Sequence, residues 1–303
     1  MAQILITGGS GLLALNWALD KRAQDEVTLG IHTKNVSLSG INTCLLPLDS
    51  TDKIQRFFDN IKPNIVIHTA GLTNIEGCEA NPDLAHYTNV ELAKNVAKAC
   101  SSNKVSLVHM STDHLFSGEM HMVDEYQQVA PLNTYGRTKA EAEYRVLDVY
   151  PETLIVRTNF YGWGPSFKPS FSDVIIDSLR SNSALYLFQD VFYTPILIET
   201  LVNAVHDLLN QKVSGIFHVA GDERISKFEF GLEIAKLFNL DARLIKKDKF
   251  QNQHKLTCRP KDMSLSNQKV KSVLGRKLGG VKEQLLRLQQ QETLGLAKEI
   301  KNL

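Results

Sequence analysis

A tyrosine and a lysine four residues apart are the first side chains in this sequence that could do chemistry together. Tyr135 and Lys139 lie in a segment with a helical pattern, so both side chains are expected on one face of the helix. The ammonium of Lys139 should favour the phenolate and lower the pKa of Tyr135 from its ordinary value of about 10. Such a phenol can give or take the proton when a carbonyl and an alcohol interconvert. An ordinary pair on a helix surface would show the same spacing, so the neighbouring elements have to separate the two interpretations.

A glycine-rich turn near the start of the chain has the pattern of a dinucleotide-binding loop. The apolar run at residues 3–7 predicts a strand, and residues 15–22 predict a helix. Between them, Gly8 and Gly11 allow a tight turn and a close approach to a pyrophosphate, while Ala14 allows close packing of the helix. Free N–H groups at the helix start favour phosphate. Ser10 and Leu12 lie in the same turn and are predicted to contact the cofactor. An ordinary glycine turn is the alternative.

The end of the second predicted strand, residues 27–31, bears on which dinucleotide is bound. A site selective for NAD usually has a carboxylate here, which holds the ribose 2′-hydroxyl. None occurs between Val27 and Lys34. His32 and Lys34 suit a 2′-phosphate instead, so NADP(H) is predicted as the preferred cofactor, with NAD(H) as the alternative. If both are only solvated loop residues, the selectivity lies elsewhere.

Residues 45–48 predict a third strand, and Pro47 places this strand at an edge of the sheet because proline cannot donate to a ladder. An edge position agrees with the strand order 3-2-1-4-5-6 of dinucleotide-binding sheets. Asp49 either caps the following helix, residues 52–61, or faces the adenine. Its neighbour Ser50 is included among the predicted cofactor residues.

Three further apolar runs, at residues 65–71, 105–110 and 153–158, predict strands that alternate with helices. One of these helices is predicted at residues 83–100, with Asn89 in its interior. This alternation predicts an α/β fold with a doubly wound parallel sheet of the Rossmann type. Ala70 and Gly71 end one strand with small side chains, and Thr112 follows another. Hydroxyls at the carboxyl ends of central strands lie where open α/β sheets bind ligands.

Composition excludes several other classes of protein. The chain has 303 residues, with 34 Lys and Arg against 33 Asp and Glu, so a nucleic-acid-binding surface is not indicated. It has neither an apolar run long enough to cross a bilayer nor a secretory signal pattern, which predicts a cytoplasmic protein. The four cysteines are scattered and have no histidine cluster beside them. Neither a disulfide framework nor a metal site is predicted.

Several of these motifs together resemble the extended short-chain dehydrogenases/reductases, and among them the dTDP-4-dehydrorhamnose reductases. The resemblance runs from Met1 to about Lys271, and its motifs are residues 111–113, residues 131–139, Arg157 with Thr158, and Arg259 with Pro260. It implies that Thr112, Tyr135 and Lys139 are catalytic. The other implied contacts are Gly8, Gly11, Asp49, Ala70 and Gly71 with the cofactor, Thr73, Asp113 and His114 with the sugar, and Arg259 with the nucleotide diphosphate.

Two departures from the family pattern fall where the substrate is expected. His114 replaces the tyrosine that commonly follows Ser-Thr-Asp, and Asn159 with Phe160 replaces the usual Ser-Trp after Arg-Thr. The particular sugar is therefore left open. Residues 162–169 are rich in turn residues and aromatics, so they predict either a flap over a substrate cleft or a plain connector.

Residues 1–160 are predicted to form the NAD(P)-binding domain, with returns of the chain from about 185–220. Residues 161–303 are predicted to form a smaller, discontinuous C-terminal α/β portion that binds substrate.

The sequence therefore predicts a reductase that prefers NADP(H) and transfers hydride to the 4-keto group of a nucleotide-activated deoxysugar. A monomer or homodimer is expected, with no nucleic-acid or membrane partner. One alternative is an epimerase or dehydratase with permanently bound NAD⁺, which the His114 position disfavours. The other is a non-catalytic regulatory subunit resembling that of methionine adenosyltransferase, since this fold does not guarantee turnover.

Overall fold

The structure, a computed structural model, describes residues 1–253 and 256–303 of the chain. The strands in this part of the chain are β1 (Gln3–Thr7), β2 (Glu26–Ile31), β3 (Asn42–Leu45), β4 (Ile65–His68), β5 (Ser106–Met110), β6 (Leu154–Arg157), β7 (Phe160–Tyr161), β8 (Leu185–Phe188), β9 (Phe192–Tyr193), β10 (Ile196–Leu197), β11 (Gly215–His218), β12 (Ile225–Ser226) and β13 (Ile245–Asp248).

The α-helices of the same part are α1 (Leu12–Lys21), α2 (Thr51–Ile61), α3 (Ile75–Ala80), α4 (Pro82–His86), α5 (Leu92–Asn103), α6 (Thr134–Val149), α7 (Phe171–Arg180), α8 (Ile198–Asn210), α9 (Lys227–Leu237), α10 (Gln268–Leu274), α11 (Val281–Thr293) and α12 (Leu296–Lys301). A π-helical turn, Tyr87–Glu91, joins α4 to α5, and 3₁₀ turns occur at Ala242–Leu244 and Phe250–Asn252.

Seven strands form one sheet in the order β11-β6-β5-β4-β1-β2-β3, and each neighbouring pair is parallel. Alternate side chains of β1 point to opposite faces, so Ile4 and Ile6 join one buried cluster and Leu5 joins another. Helices α1 and α8 pack together on the first face, whereas α2, α5 and α6 cover the second. The sheet is therefore covered by helices on both faces, which confirms the predicted doubly wound α/β fold.

The edge strand β3 lies three residues earlier than the sequence suggested. The last bond from this segment to β2 is donated by the Leu46 N–H to the Ile31 carbonyl, at 3.0 Å. Pro47 has no N–H to continue the ladder, so the pairing stops in front of it. The predicted strand 45–48 was wrong in its bounds, while its position at the sheet edge is confirmed.

The part of the chain after β6 is built from short strand pairs and helices. Strand β7 pairs with β10, β9 with β12 and β8 with β13, whereas β11 returns to the edge of the main sheet beside β6. Helix α9 begins with a capping box, in which the Ser226 hydroxyl and the Glu229 carboxylate each bond the other residue's backbone N–H. Phe230 of this helix is fully buried between the rings of Tyr161 and Tyr193. The division into two domains remains a prediction.

Candidate active site

The carboxyl ends of β1, β4, β5 and β6 surround a cavity of about 470 Å³, which we call the first cavity. Many of the residues singled out in the sequence lie in its wall, although they come from distant parts of the chain. These residues are Gly8, Ser10, Gly11, Leu12, Ala70, Gly71, Thr73, Thr112, Asp113, His114, Tyr135, Lys139, Asn159 and Phe160.

The glycine turn after β1 leaves one side of the first cavity free for a phosphate. Gly8 has a φ of +67°, and a Cβ at this residue would lie 2.9 Å from the backbone of Ala70. Gly11 is the N-cap of α1; among the described residues no side-chain capping bond is made to this helix start, and its first turn carries no acidic residue. Because backbone N–H groups at a helix start attract anions, the turn fits the pyrophosphate of a dinucleotide.

Tyr135 and Lys139 both reach the first cavity from the first turns of α6. Burial raises the pKa of Tyr135 to about 12, while its hydrogen bond with the Thr112 hydroxyl partly opposes that shift. Burial likewise lowers the pKa of Lys139 to about 8. The expected lowering of the tyrosine pKa by the lysine is therefore wrong here, because burial dominates and the ammonium is bonded elsewhere.

The ammonium of Lys139 is held by groups at the end of β5. It donates to the Met110 carbonyl at 2.7 Å and lies 3.4 Å from Nε2 of His109. Because an ammonium has only donors, Nε2 of His109 must accept, and the proton of this imidazole then lies on Nδ1. An ammonium has three N–H groups, so one remains for a ligand in the first cavity.

A second buried histidine packs against His109. His68 stacks on His109 with ring centroids 5.4 Å apart, and both rings are buried. The Thr7 hydroxyl accepts the N–H groups of Thr69 and Ala70 at 3.2 Å each, so its own proton goes to Nδ1 of His68, 2.8 Å away. Burial lowers the pKa of His68 to about 3, so both rings are neutral neighbours of Lys139.

Helix α6 is fixed at its start and near its middle. Asn133 caps it by accepting the N–H of Gly136 at 2.9 Å, and a Cβ at Gly136 would lie 2.5 Å from the His114 carbonyl. Further along, Glu143 pairs with Arg157 of β6 at 2.7 Å, and both side chains are buried. Ser111, next to Thr112, donates to the same carboxylate at 2.5 Å. These contacts set the position of Tyr135 relative to Thr112.

The wall opposite the glycine turn carries polar groups that could hold a substrate. Asn159 donates to Asp113 at 2.5 Å, and Thr112 donates to the other oxygen of that carboxylate at 3.2 Å. The His114 ring meets Tyr135 edge to face at 5.7 Å, and its buried Nδ1 has no partner among the described residues. Burial lowers the pKa of His114, against the influence of Asp113.

A second cavity of about 340 Å³ adjoins the first, with His114 and Asn159 lining both. Arg259, which was predicted to lie near a diphosphate, belongs to this second cavity and forms an ion pair with Glu76. Lys227 also lines the second cavity. Sequence analysis missed Lys227, because a lysine at the start of a capped helix has the pattern of a solvated residue.

Four of the predicted cofactor residues do not line either cavity: His32, Lys34, Asp49 and Ser50. Lys34 nevertheless touches the first cavity's wall, since its ammonium lies 3.6 Å from the centroid of the Phe167 ring, which does line it. Asp49 pairs with Lys53 at 2.8 Å, and the side chain at the N-cap of α2, Ser50, makes no capping bond. The alternative in which Asp49 caps this helix is therefore wrong.

Asn89 is a site residue whose role the sequence did not reveal. The predicted helix 83–100 is interrupted by the π-helical turn, which directs Asn89 into the first cavity's wall. Its amide oxygen accepts the Leu72 N–H at 2.7 Å, and its nitrogen donates to the Leu72 carbonyl at 3.1 Å and to Thr138 at 3.0 Å. Asn89 thereby ties the loop after β4 to helix α6. The only sign of this role in the sequence was an asparagine in the interior of the predicted helix.

None of the helices in residues 1–253 and 256–303 combines the length and the hydropathy that a membrane span requires. The same residues contain no group of three or more His, Cys, Asp or Glu side chains that could hold a metal ion.

The sheet order and the first turn place the structure among the Rossmann-type, nucleotide-binding α/β proteins. Within that class, the chain belongs to the RmlD substrate binding domain family, which it matches over residues 1–293. The predicted family is confirmed, and so is the assignment to a family of oxidoreductases, since dTDP-4-dehydrorhamnose reductases are among the proteins it matches.

The chain is also similar to proteins with different names. A probable low-salt glycan biosynthesis reductase, Agl14, of Haloferax volcanii is 28% identical over 274 residues, which cover 89% of this chain and 91% of that protein. The beta subunit of methionine adenosyltransferase 2 of Pongo abelii is 27% identical over 249 residues, covering 79% and 73% respectively. The dTDP-4-dehydrorhamnose reductase of Bacillus anthracis, solved with NADP, superimposes with a TM-score of 0.82 at 23% identity, covering 96% and 99%. The NADP bound in that structure is the cofactor that the sequence predicted for this chain.

Proposed function

We propose that the protein is a reductase that uses NADPH to reduce the 4-keto group of a nucleotide-activated deoxysugar. The observation that carries this proposal is that Thr112, Tyr135 and Lys139 line the same cavity as the uncapped start of α1. One cavity is therefore lined by a proton donor, by a hydroxyl that can bond the carbonyl oxygen and by a phosphate-binding turn. This is the arrangement that reduction of a carbonyl by a dinucleotide requires.

Each of the three side chains has a defined part in the proposed reaction. A bound nicotinamide would supply the hydride that adds to the carbonyl carbon. The Thr112 hydroxyl would turn its single proton from Asp113 to the carbonyl oxygen. The Tyr135 phenol gives its proton to the same oxygen as negative charge develops there. With its pKa raised to about 12, the phenol keeps that proton at neutral pH, which suits an acid in the reducing direction. Lys139 directs its remaining N–H toward the cofactor ribose.

The proposed substrate class rests on the second cavity and on the family. Arg259 offers a cation for a nucleotide phosphate, and the second cavity opens beside the proposed catalytic residues at His114 and Asn159. Thr73, Asp113, His114, Asn159 and Phe160 are proposed to contact the sugar. His114 and Asn159 with Phe160 are the positions at which this chain departs from the family pattern, so they are expected to decide which sugar is accepted.

NADP(H) remains the proposed cofactor in preference to NAD(H). His32 and Lys34 follow β2, where a 2′-phosphate would lie, and no carboxylate occupies that stretch. Gly8, Ser10, Gly11, Leu12, Ala70 and Gly71 are proposed to line the dinucleotide, with Asp49 and Ser50 at the adenine end.

The test is steady-state oxidation of NADPH with a panel of dTDP-, GDP- and UDP-linked 4-keto sugars. Turnover with one of them, lost in Tyr135→Phe, is the expected result. Tight binding of NADPH without turnover on any of them would falsify the proposal.

Two other functions predict different results in the same preparation. Stoichiometric NAD⁺ that does not exchange would indicate an epimerase or a dehydratase. The likeness to the methionine adenosyltransferase beta subunit favours a regulatory subunit as the second candidate. Co-purification with a synthetase, whose activity is the same with the protein and with Tyr135→Phe, would support that role.

A further inference from the structure

Lys227 occupies a position that disfavours a positive charge. It is the first residue of α9, where the helix dipole presents partial positive charge. Its ammonium lies 3.4 Å from the centroid of the Tyr193 ring and 4.6 Å from that of Phe171. Burial lowers its pKa to about 8. The two rings offset only part of the free-energy cost of burying the charged ammonium, since a cation over an aromatic face gains about 0.5–2 kcal/mol.

Among the described residues, Lys227 has no negatively charged partner. No carboxylate of these residues lies within 4 Å of its ammonium, which is the distance that defines the ion pairs elsewhere in the structure. Asp113 raises the pKa of Lys227, but it lies farther than 4 Å from the ammonium, and its two oxygens accept hydrogen bonds from Asn159 and Thr112 instead. Lys227 is therefore available for an anion that comes from outside the chain.

Lys227 and Arg259 line the same cavity, and both are close enough to His114 to lower its pKa. Both line the second cavity together with His114, and the charges of both lower the pKa of His114. The lining of this cavity also includes the aromatic side chains of Tyr186, Phe188 and Phe250. A cavity with two cations near His114, which lines both cavities, and with aromatic rings in the same lining matches a molecule that carries both an anionic group and a flat, aromatic group.

We propose that Lys227 is a specificity-determining residue that, with Arg259, binds the diphosphate of the substrate, whose base lies among the aromatic rings of the second cavity. The inference rests on the proposed function, because it takes the sugar end of the same substrate to lie beside Tyr135. It adds a residue that the family motifs of the sequence did not indicate. It also gives a functional reason for a lysine at this helix start, where burial and the helix dipole both disfavour the positive charge.

The test compares the binding of nucleoside diphosphates and of nucleosides by titration calorimetry. The probes are dTDP and UDP, with thymidine and uridine as the matching compounds without phosphate. In Lys227→Met, which keeps an unbranched side chain between the two rings, the affinity for the diphosphate should fall about tenfold or more, the loss expected for one charge-assisted hydrogen bond. The affinity for the nucleoside should stay the same. Lys227→Arg should retain most of the diphosphate affinity.

Lys247→Met is the matched control, because Lys247 contacts Phe228 of the same helix at 5.1 Å, is exposed and lines neither cavity. It should bind the diphosphates as the unmodified protein does. Equal losses for diphosphate and nucleoside in Lys227→Met, or no loss of either, would overturn the inference. Failure of the unmodified protein to bind either diphosphate would also overturn it.

The outcome is separable from that of the proposed reaction. Diphosphate binding that depends on Lys227, in a protein that oxidises no NADPH, would support the lysine's role and reject the reduction. Turnover of a nucleotide sugar with an unchanged KM in Lys227→Met would reject the lysine's role and leave the reduction in place. A melting curve for each variant shows whether it has folded.

Discussion

At the scale of single residues, burial sets the proton affinities of the proposed catalytic groups. It raises the pKa of Tyr135 to about 12 and lowers that of Lys139 to about 8, so at neutral pH the phenol is protonated and the amine is charged. A phenol in this state is an acid, and a charged lysine is a donor. Both states suit reduction of a carbonyl, whereas oxidation of an alcohol would first require the phenol to lose its proton.

Tyr135→Phe removes one oxygen and keeps the ring, so it separates chemistry from folding. We expect kcat to fall about 10²–10⁴-fold, which is the usual contribution of general acid–base catalysis, while the melting temperature changes little. Tyr144→Phe is the matched control, since Tyr144 lies on the same helix and is 65% exposed. Single-turnover hydride transfer at full rate by Tyr135→Phe would contradict the proposed role.

The contact between His109 and Lys139 predicts a change in the pH dependence. If catalysis needs the ammonium, activity should be present below the lysine pKa of about 8 and should be lost as the pH rises through it. His109→Phe keeps a ring for stacking on His68 but removes the acceptor at 3.4 Å. The ammonium is then less stabilised, its pKa falls further, and the basic limb of the kcat/KM profile should move to lower pH.

His206→Phe provides the comparison for this variant, because His206 is also packed against another ring and bonded, here to Trp17 at 3.1 Å, and lines neither cavity. It should alter stability without moving the pH profile. An unchanged profile in His109→Phe would show that the histidine does not position the lysine.

At the scale of elements, two connections hold the parts of the first cavity in register. Helix α6 is tied to β6 by Glu143 and Arg157, and the loop after β7 reaches back to the end of β2 through Phe167 and Lys34. The first contact is buried and the second is exposed. We therefore expect the Glu143–Arg157 pair to contribute mainly to folding stability, and the contact between Lys34 and Phe167 to contribute mainly to cofactor binding.

Glu143→Gln should destabilise the protein by roughly 3–5 kcal/mol, because it leaves the Arg157 charge buried without a partner. The measurement is the free energy of unfolding from denaturant titration. Glu141→Gln, on the same helix, removes an exposed carboxylate that bonds Arg145 at 3.3 Å. That change should cost no more than about 1 kcal/mol. Similar losses in the two variants would mean that the buried pair is not a major support of α6.

Variants of Lys34 and Phe167 should separate selection of the phosphate from closure of the loop. Lys34→Met removes the charge but not the contact surface, so the KM for NADPH should rise about tenfold or more while that for NADH stays nearly the same. Phe167→Ala removes part of the first cavity's wall and should raise the KM for both cofactors. An equal effect of Lys34→Met on NADPH and NADH would place the selectivity elsewhere.

At the scale of the whole molecule, the parts predicted from sequence were those with local signals. A strand, a glycine turn and a helix follow one another within residues 3–21, so the first unit could be predicted without knowing what packs on it. The second cavity is different, because Tyr186, Lys227 and Phe250 meet there only through pairing of short strands that are distant in the sequence. The pKa of Tyr135 could not be predicted either, since spacing along a helix reveals the neighbouring charge but not the burial.

Because of the π-helical turn at Tyr87–Glu91, the wall of the first cavity depends on the number of residues in this turn as well as on which residues they are. A π-helical turn holds one residue more than a regular turn, and each residue of an α-helix advances the side-chain direction by about 100°. Deleting Thr88 would restore regular α-helical geometry and rotate Asn89 away from Leu72 and Thr138. A shortened gene could therefore still encode a helical, well-packed product whose loop after β4 has lost its anchor. Among descendants of this chain, insertions and deletions should be rarer in this helix than substitutions on its exposed side.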